Sequence, residues 1–131
     1  MAQEIPTYLA RLKVKPRLVA IFTRQLCTML VSGVPLLRAL ETLGTQDECP
    51  AFGEAILLCG DLVAAGHNFS NACSKFPAIF PPMYITMIRI GERVGQLDNT
   101  LDQLAGWMEK DDQLRQKILS ALTYPALILA V

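Results

Sequence analysis

Charge is scarce in this chain. Charged residues are 18% of 131, against 52% hydrophobic, and twelve Lys and Arg balance twelve Asp and Glu to a net charge of zero. That excludes a strongly basic nucleic-acid binder. It also excludes a mostly disordered chain, which needs little apolar content and a high net charge. His67 is the single histidine. The four cysteines, Cys27, Cys49, Cys59 and Cys73, never stand in a CxxC pair, so zinc-ribbon and redox-dithiol spacings are missing. They read as reduced cysteines packed as small hydrophobes. No HExxH, no GxxxxGK[ST] and no dinucleotide-binding glycine pattern occurs, and Gly91, Gly95 and Gly106 lack the strand–turn–helix context of a phosphate loop. Alternating polar and apolar runs bounded by hairpin dipeptides are also missing, so no strands are expected. The first residues hold no apolar run before a small-residue cleavage site. No secretory signal peptide is expected, and a reducing cytosol is the default compartment.

What is present is helical periodicity. Leu18, Phe22, Leu26, Met29 and Leu30 recur at spacings of three and four, which predicts a helix over 16–32 opened by Pro16 and ended at Gly33. Pro35 opens a second helix carrying Leu36, Leu37, Leu40 and Leu43, ending near Gly44. A turn this short predicts a helical hairpin. Pro50 opens a third, with Phe52, Ile56, Cys59, Leu62 and Val63, ended by Gly66. Ser70 is expected to N-cap a short fourth, and Pro77, Pro81 and Pro82 make a stiff connector. A fifth carries Tyr84, Met87, Ile88 and Gly91 and stops at Gly95. The sixth is expected from Leu97 to about Leu122, roughly 40 Å long, with Asp98 and Asp102 near its start favouring the helix dipole. The fold class expected is therefore all-α, a bundle of about six helices with short loops and a long C-terminal helix.

The domain boundaries expected are a flexible N-terminal arm at 1–15, a bundle at 16–122, and the start of a truncated membrane helix at 123–131. The last expectation comes from the run Ile118 to Val131, which holds no charged residue. Fourteen residues are too few to span a bilayer, which takes roughly 20. Either the run packs back as a buried helix end, or it is the first turns of a membrane helix with Tyr124 at the interface. The second is preferred because the pattern is unfinished at Val131. Residues 1–38 carry six Lys and Arg against Glu4 alone, while 41–74 carry five acids and no base. These read as solvated helix faces, or more sharply as a basic arm that meets anionic lipid or an acidic partner.

Candidate chemistry is thin. A nucleophile pair of His67 with a cysteine is formally possible, but nothing brings the two together. Glu92 and Asp98 flank Gly95 and could contribute to a partial cation site, although Ca²⁺ wants six to eight oxygens. An exposed Glu and a first-turn Asp explain them better. Glu109, Asp111 and Asp112 read as a solvated face, and Trp107 as packed against a neighbouring helix or, second, as an exposed anchor for a partner.

Six fragments in order are more specific. They are FTRQL (22–26), SGVPLLRAL (32–40), GHNFSNAC (66–73), FPAIFPP (76–82), IGERVGQLD (90–98) and LTYPALIL (122–129). Together they resemble the GspF/PilC family, the inner-membrane platform proteins of type II secretion systems and type IV pili; residues 1–15 lie outside the resemblance. The resemblance implies the first of two cytoplasmic helical domains in a protein with about three membrane helices. It implies a non-enzymatic role without cofactor, coupling a cytoplasmic assembly ATPase to pilin or pseudopilin movement. It also implies contact with other inner-membrane platform components, self-association into a dimer or higher oligomer, and a place on the cytoplasmic side of the inner membrane, with no nucleic acid. Within it, Gly33, Pro35, Gly66, Pro81, Gly91, Gly95, Leu97, Tyr124 and Pro125 carry structural motif roles. Arg24, Gln25, Arg38, Glu92, Arg93 and Asp98 are the candidate docking residues. Arg93-Val94 departs from the small or acidic residues expected before the second glycine. The alternative is a soluble helical adaptor whose apolar C-terminal helix docks into itself or a partner.

Overall fold

The computed structural model describes residues 5–130, and side chains as far as residue 121. Those residues form an all-α fold of seven helices: α1 (Thr7–Ala10), α2 (Pro16–Val31), α3 (Leu36–Gln46), α4 (Pro50–Ala64), α5 (Phe69–Ser74), α6 (Pro82–Val94) and α7 (Leu97–Ala130). Six were expected; the seventh, α1, is a single turn within the segment read as an arm. Its Leu9 is fully buried in the core. Four residues are too short a stretch for a periodicity to register.

In none of α1–α6 does the N-cap residue's own side chain bond the first turn. Three of them open instead on proline, at Pro16, Pro50 and Pro82, where the fixed φ is already helical and the missing N–H would have had no partner. The ends are tied by glycine. Gly33, Gly66 and Gly95 have φ of 92°, 103° and 71°. Over each, an amide reaches back five residues: Val34 to Met29 at 3.0 Å, His67 to Leu62 at 3.0 Å, Gln96 to Gly91 at 2.8 Å. Such a left-handed residue satisfies carbonyls that the helix leaves open.

α2 packs along α7 and α3 along α4, while α5 and α6 close the bundle between them. α2 and α7 are antiparallel, since Cys27 lies at Asp98 and Thr23 at Met108. The core is built on a chain of rings. Phe22 meets Phe52 edge-on at 5.6 Å, and Phe80 stands 5.0 Å from Tyr84. Each such buried ring contributes on the order of 2 kcal/mol of transfer free energy. The only buried hydroxyl pair serves this core among the described residues. Thr23 Oγ1 donates to the Val19 carbonyl at 2.7 Å and accepts from Tyr84 Oη at 2.8 Å.

Three expectations are corrected. Gly44 does not end α3, which continues to Gln46. Gly44 is instead buried where α3 crosses α4: a Cβ there would lie 2.7 Å from Leu57 Cγ, and a Cβ on Gly53 would overlap the Gly44 carbonyl oxygen. Ser70 is not an N-cap. Asn68 holds that position, and Ser70 is buried inside the first turn. α7 runs past the expected Leu122 to Ala130. The membrane-helix start expected over 123–131, with its anchor at Tyr124 and Pro125, concerns side chains outside the described residues. No helix among the described residues is long and apolar enough to cross a membrane.

Two measurements check this packing. Gly53→Ala is expected to destabilise by about 2 kcal/mol or more in urea unfolding, because the clash is with backbone. Gly60→Ala, whose Cβ would meet only Leu37 and Leu40 at 3.7 Å, is expected to be neutral or to stabilise by up to about 1 kcal/mol through helix propensity. Burial pushes the Tyr84 phenol and the Cys73 thiol above their usual ranges. A raised folded pKa gives stability that is complete below the unfolded value and is lost as pH rises past it. The urea midpoint is therefore expected to hold at neutral pH and to fall above about pH 9, with Tyr84→Phe removing part of that slope.

Candidate functional site

The residues singled out in the sequence fall into three places. The first is the α2–α7 seam. Arg24 reaches across it with its whole fork. Nη1 meets Asp102 Oδ1 at 2.7 Å, and Nε and Nη2 both meet Glu109 Oε1, at 2.8 Å and 2.7 Å. Asp102 first, then Glu109, pushes the Arg24 pKa above its usual range. The two acids stand seven residues apart, hence on one face of α7. Arg24 is therefore an internal fastener, although 39% of its side chain remains exposed. Gln25 beside it is exposed. Periodicity could not pair Arg24 with acids on a helix so distant in sequence.

The second place is the junction of α5, α6 and α7. Glu92 is not a free surface carboxylate. Its two oxygens accept the Phe69 and Ser70 amides at 2.7 and 2.9 Å, so it caps α5 from α6. This is the cap that the sequence assigned to Ser70. Gly91 lets α7 approach: a Cβ would lie 2.9 Å from Thr100 Cβ. Leu97 packs partly buried against the core. Glu92 and Asp98 line one shallow hollow with Gly91 and Gly95, but both Glu92 oxygens already hold an amide. Among the described residues, no cluster of three or more His, Cys, Asp or Glu side chains could hold a metal ion. Arg89 and Arg93 are exposed on the neighbouring face. Arg38 forms the third place, exposed beside Gly33 and Pro35 at the α2–α3 turn.

His67 is exposed, with Nδ1 2.9 Å from the Asn71 amide, and Cys73 is buried beside Cys59. No bond joins His67 to a cysteine among the described residues. Two further features lie on the surface. Trp107, for which packing was the first reading and an exposed anchor the second, is 46% exposed. It lines a groove of about 270 Å³ with Val14, Pro16, Val19, Pro77 and Ile79. Beyond that groove α7 leaves the bundle: residues 113–121 are all exposed, with Leu114 and Ile118 at 57% and 51%.

The family model described as Type II secretion system (T2SS), protein F, matches residues 22–131. The chain is 46% identical over 109 residues to a type IV pilus assembly protein PilC of Thermus thermophilus, covering 83% of this chain and 27% of that protein. It is 36% identical to PilC of Pseudomonas aeruginosa over 91% of this chain and 32% of that protein. It is 38% identical to a type II secretion system protein F of Xanthomonas campestris over 84% of this chain and 27% of that protein. The chain thus spans about a third or less of the length of these relatives.

The Glu92 cap has a measurable consequence. Charge-assisted bonds of this kind contribute about 1.5–3 kcal/mol. Glu92→Ala is expected to cost about 2 kcal/mol in urea unfolding and to speed amide exchange at Phe69 and Ser70. Glu92→Gln keeps an acceptor oxygen and should cost about half as much. An exchange rate unchanged in Glu92→Ala would show that the cap does not hold α5.

Proposed function

The chain belongs to the type II secretion system protein F family, and on that premise we propose that it is a cytoplasmic domain of an inner-membrane platform protein, without catalytic activity of its own. Its task is to couple an assembly ATPase to the movement of pilin-like subunits in the membrane. The observation that supports this reading is α7. One helix of 34 residues, about 50 Å long, is fastened along α2 in its first half and is exposed over residues 113–121 beyond it. Its charge-free end from Ile118 is suited to enter a bilayer. A helix so held carries a displacement of the bundle to its far end without needing a ligand or a reaction.

Docking of the ATPase falls to the candidate residues that remain exposed: Gln25, Arg38, Arg93 and Asp98. Arg24 and Glu92 serve the inside of the domain instead. Self-association and contacts with other platform components belong to the same reading, since weak surfaces gain strength by multivalency.

The test is retention of the system's assembly ATPase on the immobilised chain, beside alkaline extraction of the full-length protein from membranes. Wild type should retain the ATPase. Arg38→Glu and Arg93→Glu should each weaken retention by about tenfold, while leaving the unfolding midpoint within about 0.5 kcal/mol of wild type. No retention by wild type, or a full-length protein released by alkali, would sink the reading.

A further inference from the structure

The segment leading into α2 is not a loose arm from Ile5 onward. After Ala10 it runs without regular structure, and its side chains alternate. Leu12 and Val14 pack against the core, while Arg11, Lys13 and Lys15 are exposed. Arg17, in the first turn of α2, is exposed as well. The segment is a strap whose inner face is apolar and whose outer face is basic. None of these four cations makes an ion pair among the described residues. Arg24, by contrast, has two acids.

The position of the strap gives this pattern its meaning. Val14 and Pro16 line one groove with Trp107, Met108 and Arg115, so the strap lies beside α7 just where that helix leaves the bundle. The acids at that level are mostly engaged. Glu109 holds Arg24, and Asp111 holds Arg115 at 3.4 Å. Asp112 accepts only from the Gln116 amide, at 3.5 Å. Lys110, Arg115 and Lys117 add further positive charge on α7 itself. From Arg115 to Leu122 the helix rises about 10 Å. The headgroup layer of a leaflet is roughly 5–8 Å thick. A bilayer entered near Leu122 would therefore bring its headgroups to within about one Debye length of the strap.

We propose that the outward face of the strap, Arg11, Lys13, Lys15 and Arg17, is a contact surface for an anionic phospholipid headgroup layer, meeting it beside the emerging α7. The inference rests on the reading that α7 leads into a bilayer. The strap then fixes how the bundle sits against the membrane, which one helix alone leaves free to tilt. The half-exposed Trp107 lies beside it, a residue type at home between apolar and wet surroundings.

The experiment is flotation of the whole 131-residue chain with two kinds of vesicle, phosphatidylcholine alone and phosphatidylcholine mixed with phosphatidylglycerol, over a range of salt. The variant combines Arg11→Gln, Lys13→Gln, Lys15→Gln and Arg17→Gln, all at exposed positions, with its helicity checked by circular dichroism. Wild type should prefer the anionic vesicles by on the order of tenfold or more at low salt, with the preference fading as salt rises. The variant should lose that preference and keep its binding to neutral vesicles. Equal binding of wild type to both vesicles, unchanged in the variant, would overturn the headgroup contact and leave the bilayer reading of α7 standing. Binding to neither vesicle would overturn both.

Discussion

Everything in this fold depends on α2 being held along α7. The free energy of that seam comes from burial. Val19, Phe22 and Leu26 of α2 and Leu101, Leu104 and Met108 of α7 are all buried, and each apolar side chain removed from water contributes about 1.5–3 kcal/mol. The ion pairs of Arg24 add little by comparison, since half-exposed pairs are typically worth about 1 kcal/mol or less. What they add is register. A hydrophobic seam tolerates a slip of one turn far better than a guanidinium fork that must meet two carboxylates on one helix face. Burial holds the helices together, and Arg24 decides where along each other they sit.

The smaller elements are arranged around that pair by backbone groups that need partners. α5 has only six residues, too few to be stable alone. Its first amides are taken by Glu92 of α6, so one carboxylate both completes α5 and ties it to its neighbour. Glycines perform the corresponding task on the other side of the bundle. Gly44 and Gly53 let α3 and α4 cross at backbone distance, while Gly91, next to Glu92, makes room for the Thr100 side chain where α6 meets α7.

The stripes of α2, α3 and α7 were legible in the sequence because a long apolar period of 3.6 has few competing explanations. The helix ends at Gly33, Gly66 and Gly95 were legible because glycine is the residue that takes positive φ without strain. Gly44 misled for the same reason. Near the end of an apolar stripe, a glycine needed for close crossing looks the same as one needed for a left-handed end, and only the partner helix separates them. Ser70 misled because serine is a good cap in general, while the carboxylate that does the capping lies 22 residues away. Arg24 reads in the sequence as a candidate docking residue, and its pairing inside the domain was not legible there, since its two acids are 78 and 85 positions distant. The strap hid because Leu12 and Val14 give only two repeats of an alternation, which composition alone reads as a basic tail.

The clamp at Arg24 has a geometric corollary. It fastens α7 near Glu109, and past the groove residues 113–121 are exposed. From Glu109 to Ala121 the helix rises about 18 Å. A tilt of about 10° at the clamp moves Ala121 sideways by about 3 Å, against well under about 1 Å at the neighbouring Met108. A shift small enough to be absorbed at the packed seam is thereby magnified along the exposed stretch of α7.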